Sequence, residues 1–153
     1  MNLILWRHAE ADDGSNDMKR ELTRRGLKQA AAMADWLRIR VPEDAALLAS
    51  RATRSQQTAA SLSSHFAVVK SLDPDRGVED LIAAVDWPHG GAESRTVIAV
   101  GHQPTLGRVA ALLLGGHEDD WAIRKGAVWW FSNRTRGEET RTILRAAILP
   151  ELL

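Results

Sequence analysis

Four short apolar runs along the chain predict strands that are buried on both faces: residues 3–6, 45–49, 67–72 and 96–100. The last of these, Thr96-Val97-Ile98-Ala99-Val100, is the clearest. Segments with apolar residues three and four positions apart lie between or after them and predict four helices: one from Thr23 to the stop at Pro42, then 53–66, 77–85 and 106–114. Thr23 and Asp75 are candidate N-caps, and Gly115-Gly116 ends the last helix.

The C-terminal part predicts two more strands, 127–132 and 140–149, joined by a polar turn that contains Asn133 and Gly137. Trp129 and Trp130 point to opposite faces of their strand, so we expect only one of them in the core. Strands that alternate with helices predict an α/β fold: a mostly parallel central sheet between two layers of helices, with a C-terminal antiparallel hairpin at its edge.

The composition is that of one ordinary globular domain over residues 1–153, with 44% hydrophobic and 26% charged residues. Twenty lysines and arginines balance 20 acids, which argues against a nucleic-acid binder because such proteins carry a basic excess. No apolar run approaches the roughly 18 residues of a membrane span, and the chain has no cysteine, which excludes disulfides and thiolate sites. We therefore expect a soluble, cytoplasmic protein without a membrane segment.

Cationic and imidazole side chains follow three of the predicted strands. Arg7 and His8 follow the first, Arg51 and Arg54 the second, and His102 the fourth. The carboxyl ends of parallel strands meet at one edge of a sheet, so these groups are expected to converge. Arginine forks suit phosphoryl oxygens, and the helix after Pro104 would turn its first amides toward the same place. The pattern predicts a phosphate site.

Each of these residues also has an ordinary structural interpretation. Arg7 could form a surface ion pair with Glu10, and a single histidine at a strand end is more often structural than catalytic. Recurrence of the pattern after several buried strands favours the functional interpretation. The remaining histidines, His65, His89 and His117, do not follow a strand and are expected to be structural or exposed to solvent.

Four segments resemble motifs of the histidine phosphatase superfamily, and they occur in that family's order from residue 3 to about residue 115. "LWRHAEA" from Leu5 resembles the Arg-His-Gly signature in the variant of the small SixA-type phosphohistidine phosphatases. "RELTRRGLKQA" from Arg20 is similar to the start of the family's first helix. "SRATRSQQTA" from Ser50 places the pocket arginine on Arg54, and "VIAVGHQPTLG" places the second histidine on His102.

The resemblance implies a phosphoglycerate-mutase-like fold and a site without a cofactor. No metal ion is expected, because the two histidines lack a third ligand at metal spacing and a cationic pocket repels divalent ions. His8 would be the nucleophile, and Arg7, Arg54 and His102 would hold the phosphoryl group. Arg20 and Glu10 are further candidates for substrate contact, although Arg20 could equally pair with Asp17 or Glu21. Ala9 stands where many members have glycine.

The general acid that some relatives use has no clear counterpart in this sequence. Asp73, Asp75 and Glu79 lie in the stretch where such an acid could occur, with Asp75 and Glu79 the main candidates, but each also fits a turn or helix start. A phosphorylated imidazole can leave without a strong acid, whereas an alkoxide cannot. We therefore expect hydrolysis of phosphohistidine on a protein or peptide, with a phosphorylated protein of the histidine phosphotransfer type as partner. The alternatives are a phosphatase of small phosphomonoesters and a non-catalytic module that binds a phosphorylated ligand.

Overall fold

The computed structural model describes residues 1–89, 95–137 and 139–153. Its strands are β1 (Asn2–Arg7), β2 (Ala46–Ala49), β3 (Ala67–Val68), β4 (Thr96–Gly101), β5 (Val128–Arg136) and β6 (Glu139–Ile148). The helices are α1 (Arg24–Arg38), α2 (Thr53–Ala60), α3 (Val78–Val85) and α4 (Thr105–Gly115). Short 3₁₀ turns occupy Asp17–Lys19, Lys70–Leu72 and Pro150–Leu152.

The six strands form one mixed sheet in the order β3-β2-β4-β1-β5-β6. The first four of these strands are parallel to one another, β5 is antiparallel to β1, and β6 is antiparallel to β5. The prediction of a largely parallel sheet with a C-terminal antiparallel hairpin is confirmed. Because β1, β2 and β4 are neighbours, the residues that follow them lie close together at one edge.

Two hydrophobic layers cover the sheet, and consecutive residues of each central strand alternate between them. Leu3 and Leu5 of β1 pack with α3 and α4, while Ile4 and Trp6 pack with α1 and α2. All four of these side chains are completely buried. Burial on both faces explains why β1 and β4 have no polar alternation in the sequence.

Only one tryptophan of β5 lies in the core, as expected. Trp130, 6% exposed, packs in the layer of α1 and α2, whereas Trp129 is partly buried against the layer of α3 and α4. The two indole rings therefore lie on opposite faces of the strand.

Several element boundaries differ from the prediction. Helix α2 ends at Ala60 rather than at residue 66. At the next residue, the Ser61 hydroxyl donates to the carbonyl oxygens of Thr58 and Ala30, and the helix does not continue. The third strand has only two residues, because the chain turns at Lys70–Leu72 to bury Leu72. Asn133 belongs to β5 and pairs with Thr142, so the hairpin extends further than predicted.

Asp75 does not cap α3, so the prediction of Asp75 as an N-cap is wrong. The N-cap is Gly77, whose amide donates to the Asp80 carboxylate at 3.1 Å. The sequence also predicts a loop at residues 87–91, of which Gly90 and Gly91 lie outside the described residues. Across the part of the chain that the structure describes, no helix is long and apolar enough to cross a membrane.

The start of α1 is fixed against the segment that follows β1. The Thr23 side chain accepts a hydrogen bond from the Gly26 amide at 2.9 Å, which confirms Thr23 as the N-cap. A Cβ atom at Gly26 would lie only 1.9 Å from the Glu10 carbonyl oxygen. Glycine at position 26 therefore lets α1 approach the backbone just beyond His8.

Candidate active site

The chain segments that carry the candidate residues are held together by backbone hydrogen bonds at the carboxyl edge of the sheet. The His8 amide donates to the Gly101 carbonyl oxygen at 3.1 Å, and the Ser50 amide donates to the Val100 carbonyl oxygen at 3.2 Å. The first bond ties the end of β1 to β4, and the second ties the end of β2 to β4. His8, His102 and the start of α2 consequently meet, as the strand-end pattern predicts.

His8 is buried and has a defined tautomer. Its Nδ1 atom lies 2.8 Å from the Ala9 carbonyl oxygen, so Nδ1 donates and carries the proton. Its Nε2 atom lies 3.3 Å from Arg54 Nε, which donates toward it. The Nε2 lone pair of neutral His8 therefore faces the centre of the cluster.

His102 lies beside His8, with 5.0 Å between the ring centroids. Arg54 Nη2 lies 3.4 Å from His102 Nδ1, so this nitrogen accepts. On the other side of the ring, Nε2 lies 2.7 Å from Ser50 Oγ and 3.2 Å from Ser55 Oγ. These two hydroxyl groups hold the second histidine with Nδ1 turned toward Arg54.

Arg54 is the centre of the cluster and is only 3% exposed. One edge of its guanidinium, Nε and Nη2, faces the two imidazole rings. Its other side contacts Asp17, through Nη1 to the backbone oxygen at 2.6 Å and Nη2 to the carboxylate at 3.1 Å. Thr58 adds a further link, since its hydroxyl bonds the Arg54 carbonyl and accepts from the Ala9 amide.

Arg7 contributes a second guanidinium with an unused donor. Its Nη1 donates to the Ile123 carbonyl oxygen at 2.7 Å, which anchors the side chain. Its Nε is buried, and within the described residues it has no hydrogen-bond partner. A buried N–H without an acceptor costs free energy, so this position favours an incoming anion.

Both histidines are neutral at physiological pH. Burial lowers the pKa of His8 to about 4, assisted by Arg54, Arg7 and Arg20 and opposed by the Ala9 hydrogen bond. Burial, His8 and Arg54 lower the pKa of His102 to about 2. Burial raises the pKa of Asp17, but hydrogen bonds from Arg20 and Arg54 outweigh that effect and lower it overall. The cluster therefore combines neutral imidazoles, cationic guanidiniums and one carboxylate.

Arg20 and Glu10 occupy different positions relative to this cluster. Arg20 donates to the Asp12 carbonyl oxygen at 2.7 Å and to Asp17 at 3.1 Å, which confirms the ion pair with Asp17. The Glu10 carboxylate instead accepts from Thr23 at 2.9 Å and lies 3.7 Å from Arg25. The expectation that Glu10 pairs with or orients Arg7 is corrected, because Glu10 is held at the start of α1.

The carboxylates considered as general acids are separate from the cluster in their described contacts. Asp75 is exposed and forms an ion pair with Arg76, and Glu79 is exposed in the first turn of α3. Asp73 is 3% exposed, and its carboxylate accepts from the Arg51 amide at 2.9 Å and from Arg51 Nε at 2.7 Å. Arg51 therefore anchors a buried carboxylate, whereas Arg54 faces the histidines.

The expected contribution of the α4 N-terminus is also corrected. The Leu106 amide donates to the His102 carbonyl oxygen, and the Gly107 amide donates to Gln103 Oε1 at 2.8 Å. The Leu106 and Gly107 amides therefore already have acceptors within the protein and are not turned toward the cluster as free donors. His65, His89 and His117 are exposed, as expected. Groups of three or more histidines and carboxylates that could hold a metal ion are absent among the described residues.

Sequence reasoning missed Asp17, Ser50 and Ser55. The two serines lie in the quoted motif on either side of Arg54, and their hydroxyl groups bond His102. Their closeness in sequence to the candidate Arg54 is a signal that could have been used. Asp17 lies in a polar loop three residues before Arg20, and nothing in that spacing indicates that its carboxylate reaches Arg54.

Comparison with known proteins agrees with this geometry. The family model described as histidine phosphatase superfamily (branch 1) matches residues 3–81. A protein of Mycobacterium tuberculosis, strain H37Rv, described only as uncharacterised, is 33% identical over 125 residues, covering 76% of this chain and 75% of that protein. The chain belongs to the histidine phosphatase superfamily.

Solved structures of several phosphatases share the fold over nearly the whole chain. The protein histidine phosphatase SixA complexed with tungstate has a TM-score of 0.82 at 24% identity, and 99% of each chain is covered. A protein of Nakamurella multipartitia assigned to the SixA phosphohistidine phosphatases has a TM-score of 0.77 at 26% identity, covering 97% of this chain and 95% of that one. Mycobacterial glucosyl-3-phosphoglycerate phosphatase gives 0.72 at 21%, covering 95% of this chain and 97% of that one. The chain is a SixA-like member of the superfamily.

Replacing the two arginines of the α2 start separately should distinguish their roles. Arg54→Ala removes the guanidinium that faces both histidines, so we expect kcat/KM of this histidine phosphatase to fall by about 10²-fold or more. Arg51→Ala should retain most of the activity but lower the melting temperature, because the buried Asp73 carboxylate loses its cation. Steady-state kinetics and thermal denaturation of both variants measure the difference. Equal kinetic losses would contradict the assignment.

The neutral, buried histidines predict an acid-sensitive fold. The pKa values of His8 and His102 are lower in the folded than in the unfolded chain, so the unfolded chain binds more protons below about pH 6.5. Stability should therefore be full above pH 6.5 and fall as the pH drops, by about 1.4 kcal/mol per pH unit for each histidine. Denaturant unfolding between pH 5.0 and 6.5 tests this for wild type and His102→Gln. The slope should be shallower in His102→Gln and unchanged in the exposed control His117→Gln.

Proposed function

We propose that this protein hydrolyses phosphohistidine on a protein or peptide through a covalent phosphohistidine intermediate on His8. The observation that carries the proposal is the arrangement of a buried neutral imidazole with its Nε2 lone pair facing buried cationic donors. A nucleophile and an anion-binding group thus share one small site. The family and its phosphatase structures support phosphatase activity, and the choice of substrate is the further step.

The phosphoryl group would bind between the two histidines and the two arginines. Arg54 donates from Nε and Nη2 to the two histidines over 3.3 and 3.4 Å, and these long hydrogen bonds would be exchanged for stronger ones to phosphoryl oxygens. Arg7 supplies its unpaired Nε. These donors would neutralise the equatorial oxygens of the transferring group, which is most of what a loose phosphoryl transition state requires.

His8 would attack phosphorus in line with the departing nitrogen of the substrate. The bond between His8 Nε2 and phosphorus forms while the bond between phosphorus and the substrate imidazole breaks. As Nε2 gives up its lone pair, the ring becomes cationic, and the Ala9 carbonyl oxygen stabilises the proton held on Nδ1. Water then attacks the phosphorus of the intermediate, releases inorganic phosphate and restores neutral His8.

Among the described residues, neither carboxylate nearest the cluster is free to protonate a leaving group, and this favours phosphohistidine over an ester as substrate. Asp73 is committed to Arg51, and Asp17 has a lowered pKa and so is ionised at neutral pH. An alcohol would then leave as an alkoxide, which is slow, whereas a phosphorylated imidazole protonated on its free nitrogen leaves as neutral imidazole. The substrate that fits this chemistry carries its own good leaving group.

A phosphatase of small phosphomonoesters remains the second candidate. Glucosyl-3-phosphoglycerate phosphatase has a similar fold, and one of its structures is a complex with VO3. In that case Asp75 or Glu79 would supply the leaving-group proton. A non-catalytic module that binds a phosphorylated ligand is the third candidate, and turnover alone separates it from the other two.

Trapping the intermediate tests the nucleophile. Wild type mixed with labelled phosphohistidine peptide and quenched without acid should retain label on His8, detected by mass spectrometry. His8→Ala should fold, lose turnover by at least about 10³-fold and still bind phosphate weakly, because both arginines remain. His65→Ala, which removes an exposed histidine, should behave as wild type. Turnover in His8→Ala near the wild-type rate would refute the mechanism.

Comparing leaving groups tests the substrate. We expect kcat/KM to be at least about 10²-fold higher for a phosphohistidine peptide than for a phosphoserine peptide of the same sequence. Activated aryl phosphates should also react, because their leaving groups need no proton. Equal or reversed values would show that a carboxylate acts as the acid, and Asp75→Asn and Glu79→Gln would then identify it.

A further inference from the structure

Asp17 is the one acidic side chain with described hydrogen bonds to the cationic cluster, and the proposed mechanism assigns it no step. Its two carboxylate oxygens bond different arginines: Oδ2 lies 3.1 Å from Arg54 Nη2, and Oδ1 lies 3.1 Å from Arg20 Nη1. The Asp17 carbonyl oxygen accepts from Arg54 Nη1 at 2.6 Å. One residue therefore contacts both terminal nitrogens of the buried guanidinium.

These contacts lie on the side of Arg54 away from the proposed phosphoryl position. A guanidinium is planar, so its N–H groups keep fixed directions relative to one another. When Asp17 holds one hydrogen each of Nη1 and Nη2, it also fixes the directions of the Nε hydrogen and of the other Nη2 hydrogen. Those hydrogens point to His8 and His102. Asp17 thus determines the orientation of the donors that would meet the phosphoryl oxygens, although it need not touch the substrate.

We propose that Asp17 is a positioning residue that acts through Arg54, holding its Nε–Nη2 edge toward the two histidines for transition-state stabilisation. The inference rests on the proposed function, since it requires that Arg54 stabilise a phosphoryl group attacked by His8. The anchor comes from the 3₁₀ turn Asp17–Lys19, and Arg20 secures that turn by bonding both Asp12 and Asp17. The polar loop after β1 is therefore part of the active-site architecture.

Two other roles for Asp17 make different kinetic predictions. As a competitor of the substrate, the carboxylate would weaken ground-state binding by neutralising the pocket, so its removal would lower KM and leave kcat unchanged. As a direct substrate ligand, its removal would raise KM with kcat unchanged. A positioning role predicts a loss in kcat without a rise in KM, because misdirected donors still attract a phosphate by charge.

The test compares Asp17→Asn with Asp13→Asn on an activated aryl phosphate, which is usable whichever natural substrate is correct. Asp13 belongs to the same loop, but its side chain is fully exposed and comes no closer to Arg20 than 4.0 Å. The control therefore removes the same charge without changing a contact of Arg54. We expect Asp17→Asn to lower kcat by about 10-fold or more, with KM not increased. Asp13→Asn should stay within about 2-fold of wild type, and Asp17→Glu should recover much of kcat.

Inhibitor binding and a double-mutant cycle complete the test. Affinity for vanadate, which adopts the transition-state geometry, should fall about 10-fold in Asp17→Asn, while affinity for inorganic phosphate should be unchanged or higher. In an Arg54→Lys background, where no planar fork exists, Asp17→Asn should cause no further loss of kcat. Unchanged kcat in Asp17→Asn, or full additivity with Arg54→Lys, would overturn the proposal. Failure of wild type to bind vanadate or turn over any phosphate would instead overturn the proposed function.

Discussion

The site depends on burying the charge of Arg54 at the edge of the sheet. A guanidinium that is 3% exposed loses most of its hydration, and that loss is offset only if its N–H groups find acceptors. The acceptors are the carboxylate and carbonyl of Asp17 and the unprotonated nitrogens of two histidines. Both imidazoles must therefore be neutral to accept hydrogen bonds from the buried Arg54. The proposed nucleophilic attack by His8 requires the same neutral form.

The fold satisfies this requirement by bringing distant segments together with few polar bonds. The sheet order places β4 between β2 and β1, so Arg54, His102 and His8 lie on segments that follow adjacent strands, although Arg54 and His8 are 46 positions apart in sequence. The two hydrophobic layers hold the strands, and Gly26 lets α1 close over the loop beyond His8. The positions of the charged groups thus follow from apolar packing rather than from their mutual attraction.

The α/β class, the parallel arrangement of β1, β2 and β4 and the convergence of Arg7, His8, Arg54 and His102 could all be predicted from sequence. They follow from local signals, namely apolar runs of strand length and polar residues placed directly after them, except that Arg54 is preferred to Arg51 because of the resemblance to the histidine phosphatase motif. What could not be predicted were contacts set by tertiary packing. The short β3, the pairing of Asp73 with Arg51 and the position of Glu10 depend on which groups the folded chain brings against them.

Asp17 illustrates that limit and also completes the electrostatics of the site. With both histidines neutral, the guanidiniums of Arg7 and Arg54 are the charged donors beside them, and the ionised Asp17 carboxylate is shared between Arg54 and Arg20. The cluster therefore keeps an excess of positive charge, which in the proposed mechanism attracts the phosphoryl dianion. If Asp17 were neutral, that excess would be larger and would further disfavour a protonated His8. In the proposed mechanism, Asp17 thus moderates the positive charge of the pocket while it orients Arg54.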